Sequence, residues 1–157
     1  MTEIRVGTGF DAHAFEAGVP LVLGGVRIDH PRGLAGHSDG DVLAHALTDA
    51  LLGAAGLGDI GSLFPADDER FRGADSVELL REAYGRVQEA GWTLVNADCV
   101  LVGEEPRIAE HRDEMRHRLS AAVDGGEVNV RATTTDRLGF TGRGEGLAAH
   151  AVALLER

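Results

Sequence analysis

The chain has 157 residues, of which 43% are hydrophobic and 26% charged, values typical of one soluble domain with its own core. Its formal net charge of −11 argues against nucleic-acid binding, which needs a basic face. No apolar run reaches the length of about 18 residues that a membrane span needs, and the N-terminus lacks the pattern of a signal sequence. A single cysteine excludes an internal disulfide. We therefore expect a bacterial cytoplasmic protein without membrane contact.

The first predicted element is a strand over residues 4–10, where apolar residues alternate loosely. Gly7 and Gly9 within it indicate a close backbone approach or a bulge, and a lone Gly-x-Gly is weak evidence for phosphate binding. Asp11 and His13 follow directly. Because residues two apart in an extended chain point to the same side, these two side chains can chelate one ion.

A hairpin with a Gly-Gly turn comes next, and after it the chain is predicted to form a helix over residues 39–55. We expect Ser38 to cap this helix, with Asp41 three residues on in the capping-box position. His37, Asp41 and His45 are spaced by four residues. If the helix includes all three, they share one face.

The irregular stretch over residues 59–73 is long for a compact domain, which is typical of a lid or a binding loop, or of a mobile segment. Three further elements follow from apolar periodicity and glycine stops: a helix over 76–90, a strand over 92–102 and a helix over 108–123. Asp75 or Ser76 is expected to cap the first of them. Cys99, within the strand, is predicted to be a buried thiol.

A strand over residues 128–134 runs into a threonine-, arginine- and glycine-rich segment over 135–146. This composition suggests either an anion-binding strand end and turn or an edge strand with a flexible loop. The last segment, 147–155, is ambiguous between a helix and a strand. The elements together predict a mixed α/β fold, an α+β sandwich in a single domain over residues 1–157.

Asp11, His13 and one histidine of the predicted helix start make a candidate three-ligand metal site. Neutral imidazoles with a carboxylate suit zinc or a similar divalent ion, and three protein ligands leave a position open for water or substrate. His45 is the better third ligand because it lies inside the helix, whereas His37 is freer to contact substrate. Asp49, one turn beyond His45, is a candidate outer partner of the site.

Any phosphate group would have to be held locally in so acidic a chain, by metal ions, helix N-termini or the 15 basic residues, which are all arginine. Four motifs rich in glycine and polar residues follow one another along the chain. They are Gly-x-Gly-Phe-Asp-x-His from Gly7, Gly-His-Ser-Asp-Gly-Asp-Val-x-x-His-Ala-Leu-x-Asp-Ala-Leu-Leu-Gly-Ala from Gly36, Leu-Gly-Asp-Ile-Gly from Leu57, and Ala-Thr-Thr-Thr-x-x-Leu-Gly-Phe-Thr-Gly-Arg-Gly-Glu-Gly from Ala132. With these motifs the chain resembles, over essentially its whole length, the 2-C-methyl-D-erythritol 2,4-cyclodiphosphate synthase family.

The resemblance implies that the chain converts 4-diphosphocytidyl-2-C-methyl-D-erythritol 2-phosphate into the cyclic diphosphate and CMP, in the non-mevalonate isoprenoid pathway. The substrate's own 2-phosphate attacks the β-phosphorus, so catalysis is alignment and charge neutralisation. It also implies a zinc-type ion, zinc or manganese, held at the β-phosphate by Asp11, His13 and His45, and magnesium or manganese bridging the α- and β-phosphates. His37 and Thr134 match positions that stabilise the transition state.

The resemblance further implies the substrate contacts. Ser38 matches a phosphate contact. The erythritol moiety would be held by Asp59, Ile60, Gly61, Phe64, Pro65, Ala66, Asp67 and Asp68. The cytidine diphosphate pocket would consist of Gly103, Glu104, Glu105, Pro106, Arg107, Ile108, Ala109, Thr133, Thr134, Thr135 and Asp136.

Members of this family are homotrimers, with active sites between neighbouring subunits and with the sheets packed around a central axis. The resemblance therefore implies a mixed sheet with helices on one face only, and it favours a strand for the final segment. Phe140 and Arg143 match positions that line the central cavity, where an isoprenoid diphosphate could bind.

Three residues depart from the pattern expected of the family. Asp136 stands where we expect glutamate as the magnesium contact, and its side chain is shorter by one methylene, so direct coordination can become water-mediated. Arg72 and Arg107 stand where lysine is common. Both keep the positive charge, but the planar guanidinium is not equivalent to an ammonium group.

Two other functions are compatible with some of these residues. A zinc-dependent phosphate-ester hydrolase would activate water on the same metal, and the lack of an obvious general base beside the site argues against it. A cytidine-nucleotide-binding or structural trimer without activity is the other alternative. The intact Asp11, His13, His37, His45 and Thr134 argue against that alternative.

Overall fold

The computed structural model describes all 157 residues. The strands are β1 (Ile4–Ala17), β2 (Leu21–Leu23), β3 (Val26–Ile28), β4 (Arg32–Leu34), β5 (Thr93–Val102), β6 (Val128–Thr133) and β7 (Gly146–Glu156). The helices are α1 (Val42–Ala55), α2 (Ile60–Leu63), α3 (Ser76–Glu89), α4 (Arg112–Ala122) and α5 (Gly139–Gly142), with single 3₁₀ turns at Glu69–Phe71 and Ala109–His111.

Five strands form one mixed sheet in the order β4-β1-β7-β5-β6, and β2 and β3 form a separate hairpin. Only β5 and β6 run parallel, and every other pair is antiparallel. Helix α1 packs against β1, β7 and β5, and α3 packs against α1. The α+β sandwich with helices on one face of a mixed sheet, expected from the sequence, is confirmed.

Helix α1 lies at the centre of the molecule, and eleven of its fourteen residues are buried. It approaches β1 closely because two strand positions have no side chain. A Cβ atom added at Gly7 would overlap the carbonyl oxygen of Ala50, and one added at Gly9 would overlap that of Ala46. The Gly-x-Gly pair therefore allows close contact between strand and helix backbones, as one of the two predictions for it proposed.

The start of α1 differs from the prediction. The helix begins at Val42, and its N-cap is Asp41, whose carboxylate accepts the Ala44 N–H at 3.1 Å, so the prediction that Ser38 caps the helix is wrong. The same carboxylate accepts the N–H groups of Gly24 and Gly25 at 2.9 and 2.8 Å. Asp41 thus fastens the β2–β3 turn to the helix, and burial, with the nearby Asp39, raises its pKa to about 6.

Because residues 36–41 bend and lie outside the helix, His37 does not share a helical face with Asp41 and His45. Strand β1 also runs seven residues beyond its predicted end at residue 10, because β4 and β7 both pair with the extension. The final segment is the strand β7, buried between β1 and β5. Central pairing outweighs the helix propensity of its alanines and leucines.

The sheet face opposite the helices carries a group of exposed apolar side chains. Ile4, Val6 and Phe10 of β1 are 57%, 65% and 58% exposed, and Val152 beside them on β7 is 43% exposed. Single exposed apolar residues are common, but a contiguous set on one sheet face indicates a surface that another element covers.

Cys99 on β5 is fully buried, as predicted. Burial raises the pKa of its thiol to about 12, so the thiol stays protonated and unreactive in the folded chain. No helix in the structure combines the length and the apolar character that crossing a bilayer requires.

Candidate metal and substrate site

The structure brings Asp11, His13 and His45 together. A single carboxylate oxygen, Asp11 Oδ2, lies 2.9 Å from His13 Nε2 and 2.9 Å from His45 Nδ1. Asp11 and His13 project from the same side of β1, as their spacing of two residues predicts. His45 reaches them from the first turn of α1, which lies directly on β1 at Gly9.

The charges of this cluster are strongly coupled. Burial alone would raise the pKa of Asp11, but the imidazoles of His13 and His45, each 2.9 Å from its carboxylate, outweigh burial and lower the pKa to about 2. In return, the Asp11 carboxylate raises the pKa of His13, against the opposing effect of burial. The metal-free cluster therefore holds an ionised carboxylate and favours a proton on His13.

The three residues fit a divalent cation. Their candidate ligand atoms all lie within 4.8 Å of one another. His13 Nε2 is buried and has no hydrogen-bond partner: it is close to Asp11 Oδ2 but not aligned for a hydrogen bond. A buried ring nitrogen without a partner is costly unless something binds there. Two imidazole nitrogens and one carboxylate oxygen suit a zinc-type ion with an open position.

The second ring nitrogen of His45 faces hydroxyl groups. His45 Nε2 lies 2.7 Å from Ser76 Oγ and 3.1 Å from Ser38 Oγ. The Ser76 hydroxyl in turn donates a hydrogen bond to the carboxylate of Asp39. Both ring nitrogens of His45 are therefore engaged, and its ring is held on two sides.

A pocket of about 190 Å³ opens beside the cluster. Its polar wall consists of Asp11, His13, His37, Ser38 and His45, and its apolar wall of Ile60, Phe64, Ala66, Phe71 and Leu79. His37 Nε2 lies 3.0 Å from the carbonyl oxygen of Asp68, which joins the two walls. The pocket can thus receive a ligand with an anionic end and an aliphatic end.

Three residues of the apolar wall, Ile60, Phe64 and Ala66, belong to the segments predicted to hold the erythritol moiety, whereas Phe71 and Leu79 were not predicted. Asp59 caps α2 by accepting the Ser62 N–H at 2.8 Å, and Asp68 pairs with Arg70. Gly61, Pro65 and Asp67 do not line the pocket. Asp49 accepts the Ile60 N–H at 2.7 Å and so fixes the start of α2, and its role as an outer partner of the metal stays a prediction.

A second pocket, of about 810 Å³, lies elsewhere on the chain. It is lined by Phe15, His30, Pro31, Arg32, Glu104, Glu105, Pro106, Arg107, Thr134, Arg137, Thr141, Gly142, Arg143 and Gly144. Glu104 accepts the Thr135 N–H at 3.3 Å, which joins the two segments predicted to bind the nucleotide. The two pockets share no residue, so His37 and Thr134, predicted to act on one transition state, lie in different pockets of one chain.

The remaining predicted residues lie around this second pocket but not in its lining: Gly103, Ile108, Ala109, Thr133, Thr135, Asp136 and Phe140. Ile108 is fully enclosed in the core, whereas Phe140 is 39% exposed. Asp136 and Arg137 have φ angles of 52° and 68°, which is uncommon for residues other than glycine. The Thr134 hydroxyl and the Asp136 carboxylate are 3.3 Å apart across this turn.

Sequence reasoning missed several residues of the second pocket and one hydrogen-bond partner of the metal cluster. The Arg32 guanidinium lies 4.3 Å from the ring centre of Phe15, and the His30 ring stacks on Phe15 with centres 5.7 Å apart. The sequence around His30 indicated only a loop. Ser76 was expected only as a candidate helix cap, because its contact with His45 spans 31 residues and leaves no local pattern.

Comparisons with known proteins agree on one family. The model of the YgbB family matches residues 4–156. The 2-C-methyl-D-erythritol 2,4-cyclodiphosphate synthase of Rubrobacter xylanophilus is 64% identical over 158 aligned positions, which cover 98% of this chain and 95% of that protein.

Solved structures give the same result. The bifunctional IspDF from Campylobacter jejuni superposes with a TM-score of 0.95 at 47% identity, over 99% of this chain and 43% of that one, so the chain spans less than half of that protein. A 2C-methyl-D-erythritol-2,4-cyclodiphosphate synthase solved in a CDP-bound form superposes with a TM-score of 0.87 at 42% identity, over 96% of this chain and 99% of that one.

Proposed function

The chain belongs to the YgbB family, and we propose that it is a 2-C-methyl-D-erythritol 2,4-cyclodiphosphate synthase, a phosphorus–oxygen lyase of the non-mevalonate pathway. It cyclises 4-diphosphocytidyl-2-C-methyl-D-erythritol 2-phosphate and releases CMP. An oxygen of the 2-phosphate forms a bond to the β-phosphorus. The bond from the β-phosphorus to the oxygen shared with the α-phosphate breaks, and CMP leaves with that oxygen and its electron pair.

One observation carries the proposal: the Asp11–His13–His45 cluster opens onto the same pocket as His37 and Ser38. No group in that pocket has to form a covalent intermediate, because the substrate supplies its own nucleophile. The pocket has to align two phosphates and offset their charge. Zinc or manganese bound by the cluster, with magnesium or manganese on the diphosphate, would supply positive charge to it.

The residues of the chain contribute binding and orientation. His37 and Ser38 lie on the polar wall, where an imidazole and a hydroxyl can donate hydrogen bonds to phosphate oxygens. Ile60 and Phe64 on the opposite wall provide apolar contact for the methyl-bearing carbon chain and keep water out. The hydrogen bond between Asp49 and Ile60 keeps that wall in place.

The second pocket is the proposed cytidine diphosphate site. Arg107 and Arg143 lie in its lining and can bind phosphate oxygens in a charge-assisted manner, and the Glu104–Thr135 contact gives it a fixed edge. The nucleotide-binding roles of the residues around it, and the magnesium contact by Asp136, remain proposals. The CDP complex of the related synthase described above supports a cytidine nucleotide as the ligand of this pocket.

We further propose that three copies of the chain assemble, so that the metal pocket of one subunit meets the nucleotide pocket of the next. Two observations support this assembly. The predicted catalytic residues His37 and Thr134 lie in separate pockets of one chain. The apolar sheet face with Val6 and Phe10 is open and needs a cover. Isoprenoid diphosphate binding in a central cavity and a cytoplasmic location stay predictions.

The direct test is an incubation of the purified chain with the diphosphocytidyl substrate, zinc and magnesium, followed by phosphorus NMR of the products. CMP together with the cyclic diphosphate is the expected result. A linear phosphate product would instead indicate a zinc-dependent hydrolase. Binding of CDP without turnover of the substrate would indicate a nucleotide-binding protein, and either result would overturn the proposal.

A further inference from the structure

We infer that Asp39 and Ser76 are positioning residues that set the tautomer of His45 and thereby prepare His45 Nδ1 to bind a metal ion. The inference rests on the metal site of the proposed function and adds to it the residues that hydrogen-bond to the ligand His45. Ser76 belongs to none of the four sequence motifs, and it joins the site only through the packing of α3 against α1.

The contacts form a chain of three groups. His45 Nε2 lies 2.7 Å from Ser76 Oγ, and Ser76 Oγ donates to Asp39 Oδ1. The Ser76 backbone N–H donates to the other carboxylate oxygen, Asp39 Oδ2, at 3.1 Å. Asp39 Oδ1 also accepts the Asp41 N–H at 3.1 Å. The carboxylate is therefore held by backbone groups from both the α1 and the α3 starts.

Counting protons assigns the donors. The Ser76 hydroxyl has a single proton, and an ionised carboxylate can only accept, so the hydroxyl proton points to Asp39. Ser76 Oγ then has only lone pairs left for His45. The hydrogen bond between them requires a proton on His45 Nε2, which leaves the lone pair of a neutral His45 on Nδ1.

That lone pair faces the metal cluster. His45 Nδ1 lies 2.9 Å from Asp11 Oδ2, and two acceptors at this distance repel each other unless a cation lies between them. A neutral His45 in this tautomer is therefore arranged to share a cation with Asp11. A hydrogen bond from the far nitrogen of a ligating histidine to an acceptor group fixes the ring and increases the basicity of the ligand.

The neighbouring hydroxyl does not replace this function. Ser38 Oγ is farther from His45 Nε2, at 3.1 Å, and Ser38 lies in the wall of the open pocket, where substrate can engage it. Ser76 is fully buried and has no access to substrate. Burial also excludes water that could substitute for the hydroxyl. Loss of this hydroxyl should therefore leave His45 Nε2 without this hydrogen-bond acceptor.

The first test measures zinc affinity by competition with a chromophoric chelator. We expect Ser76→Ala and Asp39→Asn each to weaken zinc binding by about 10- to 100-fold. Ser120→Ala is the matched control, because Ser120 also donates a short hydrogen bond, 2.7 Å to the Gly126 carbonyl, but lies on α4 away from the site. Its zinc affinity should equal that of the unmodified chain. Equal affinity of all three variants would overturn the inference.

The second test observes the His45 Nε2 proton in the zinc-loaded chain. Long-range ¹H–¹⁵N spectra should show a slowly exchanging proton on His45 Nε2, and in Ser76→Ala this proton should exchange at least about tenfold faster. Equal exchange rates in the two chains would overturn the inference. If Ser76→Ala does not fold, Asp39→Asn serves in its place, since it keeps the shape of the side chain.

The two tests also separate this inference from the proposed function. A chain with the expected tautomer and zinc affinities that releases no CMP would retain the positioning roles and lose the synthase assignment. If the unmodified chain produces the cyclic diphosphate but Ser76→Ala binds zinc with unchanged affinity, the synthase assignment holds and the positioning roles are refuted.

Discussion

Gly9 of β1 and Ala46 of α1 lie in direct backbone contact, so closely that a Cβ atom at Gly9 would overlap the Ala46 carbonyl oxygen. Ala46 is the neighbour of His45 on the helix, and Gly9 lies two residues before Asp11 on the strand. This contact therefore sets the distance between the helical and strand ligands of the candidate metal site. A glycine pair that resembles a phosphate-binding motif serves to bring two ligand-bearing elements together.

We expect Gly9→Ala to destabilise the chain by about 3 kcal/mol or more, since the added methyl group meets helix backbone that cannot move without shifting α1. Any folded fraction should bind zinc weakly because His45 is displaced. Gly85→Ala, in α3, is the matched control: its added Cβ has no neighbour within 4 Å, and alanine favours the helix by about 0.5–1 kcal/mol. Denaturant unfolding measures both, and equal stabilities would contradict the expectation.

Replacement of His45 by alanine should abolish tight zinc binding, because it removes one of only three ligand atoms in the cluster. Elemental analysis of the purified variant measures the retained metal. His117→Ala, on the exposed surface of α4, removes a histidine outside the cluster and should keep the metal. A His45→Ala chain with a full complement of metal would refute the ligand assignment.

Metal affinity should increase with pH near neutrality. Asp11 raises the pKa of His13 above the ordinary value of 6.5, so the metal-free chain keeps this proton to a higher pH than a free histidine does. The proton must leave before the nitrogen can bind metal. Asp11, with a pKa of about 2, is ionised throughout this range and adds no dependence. Chelator competition between pH 6 and 8 should show zinc binding that tightens as the pH rises, by up to about tenfold per pH unit for the proton on His13. A zinc affinity that does not change with pH would show that no proton competes with the metal for His13.

Val6→Asp should separate the proposed trimer into single chains, because it places a charge on the open apolar face of the sheet. Light scattering coupled to gel filtration should then report the mass of one chain, 16.5 kDa, and not three times that value. Synthase activity should fall with the mass, while the metal cluster, on the opposite face, still binds zinc. Ala121→Asp adds the same charge to the exposed surface of α4 and should leave the assembly unchanged.

Asp136→Glu should preserve activity within a few-fold, because it restores the longer carboxylate expected at this position. Its cost is conformational: residue 136 has a φ of 52°, a region that aspartate tolerates better than glutamate. We therefore expect a slightly lower melting temperature with similar turnover. A large loss of turnover would mean that the nucleotide end of the site is adapted to aspartate.

The sequence by itself determined the features that depend on near neighbours. Period-two spacing placed Asp11 and His13 on one side of a strand, the Gly-Gly turn predicted the β2–β3 hairpin, and helical periodicity placed His45 on α1. The four motifs identified the family. Each of these signals lies within one element or one contiguous stretch, where local backbone geometry decides the result.

Only the tertiary structure decided which distant groups meet. The two glycine N–H groups of the hairpin turn donate to the Asp41 carboxylate and hold it at the start of α1, where it caps the helix in place of Ser38. The packing of α3 on α1 brings Ser76 to His45, and the separation of the two pockets divides His37 from Thr134. Such contacts join residues 16 or more positions apart, and nothing in local propensity or spacing encodes them, because they form only when the whole core packs.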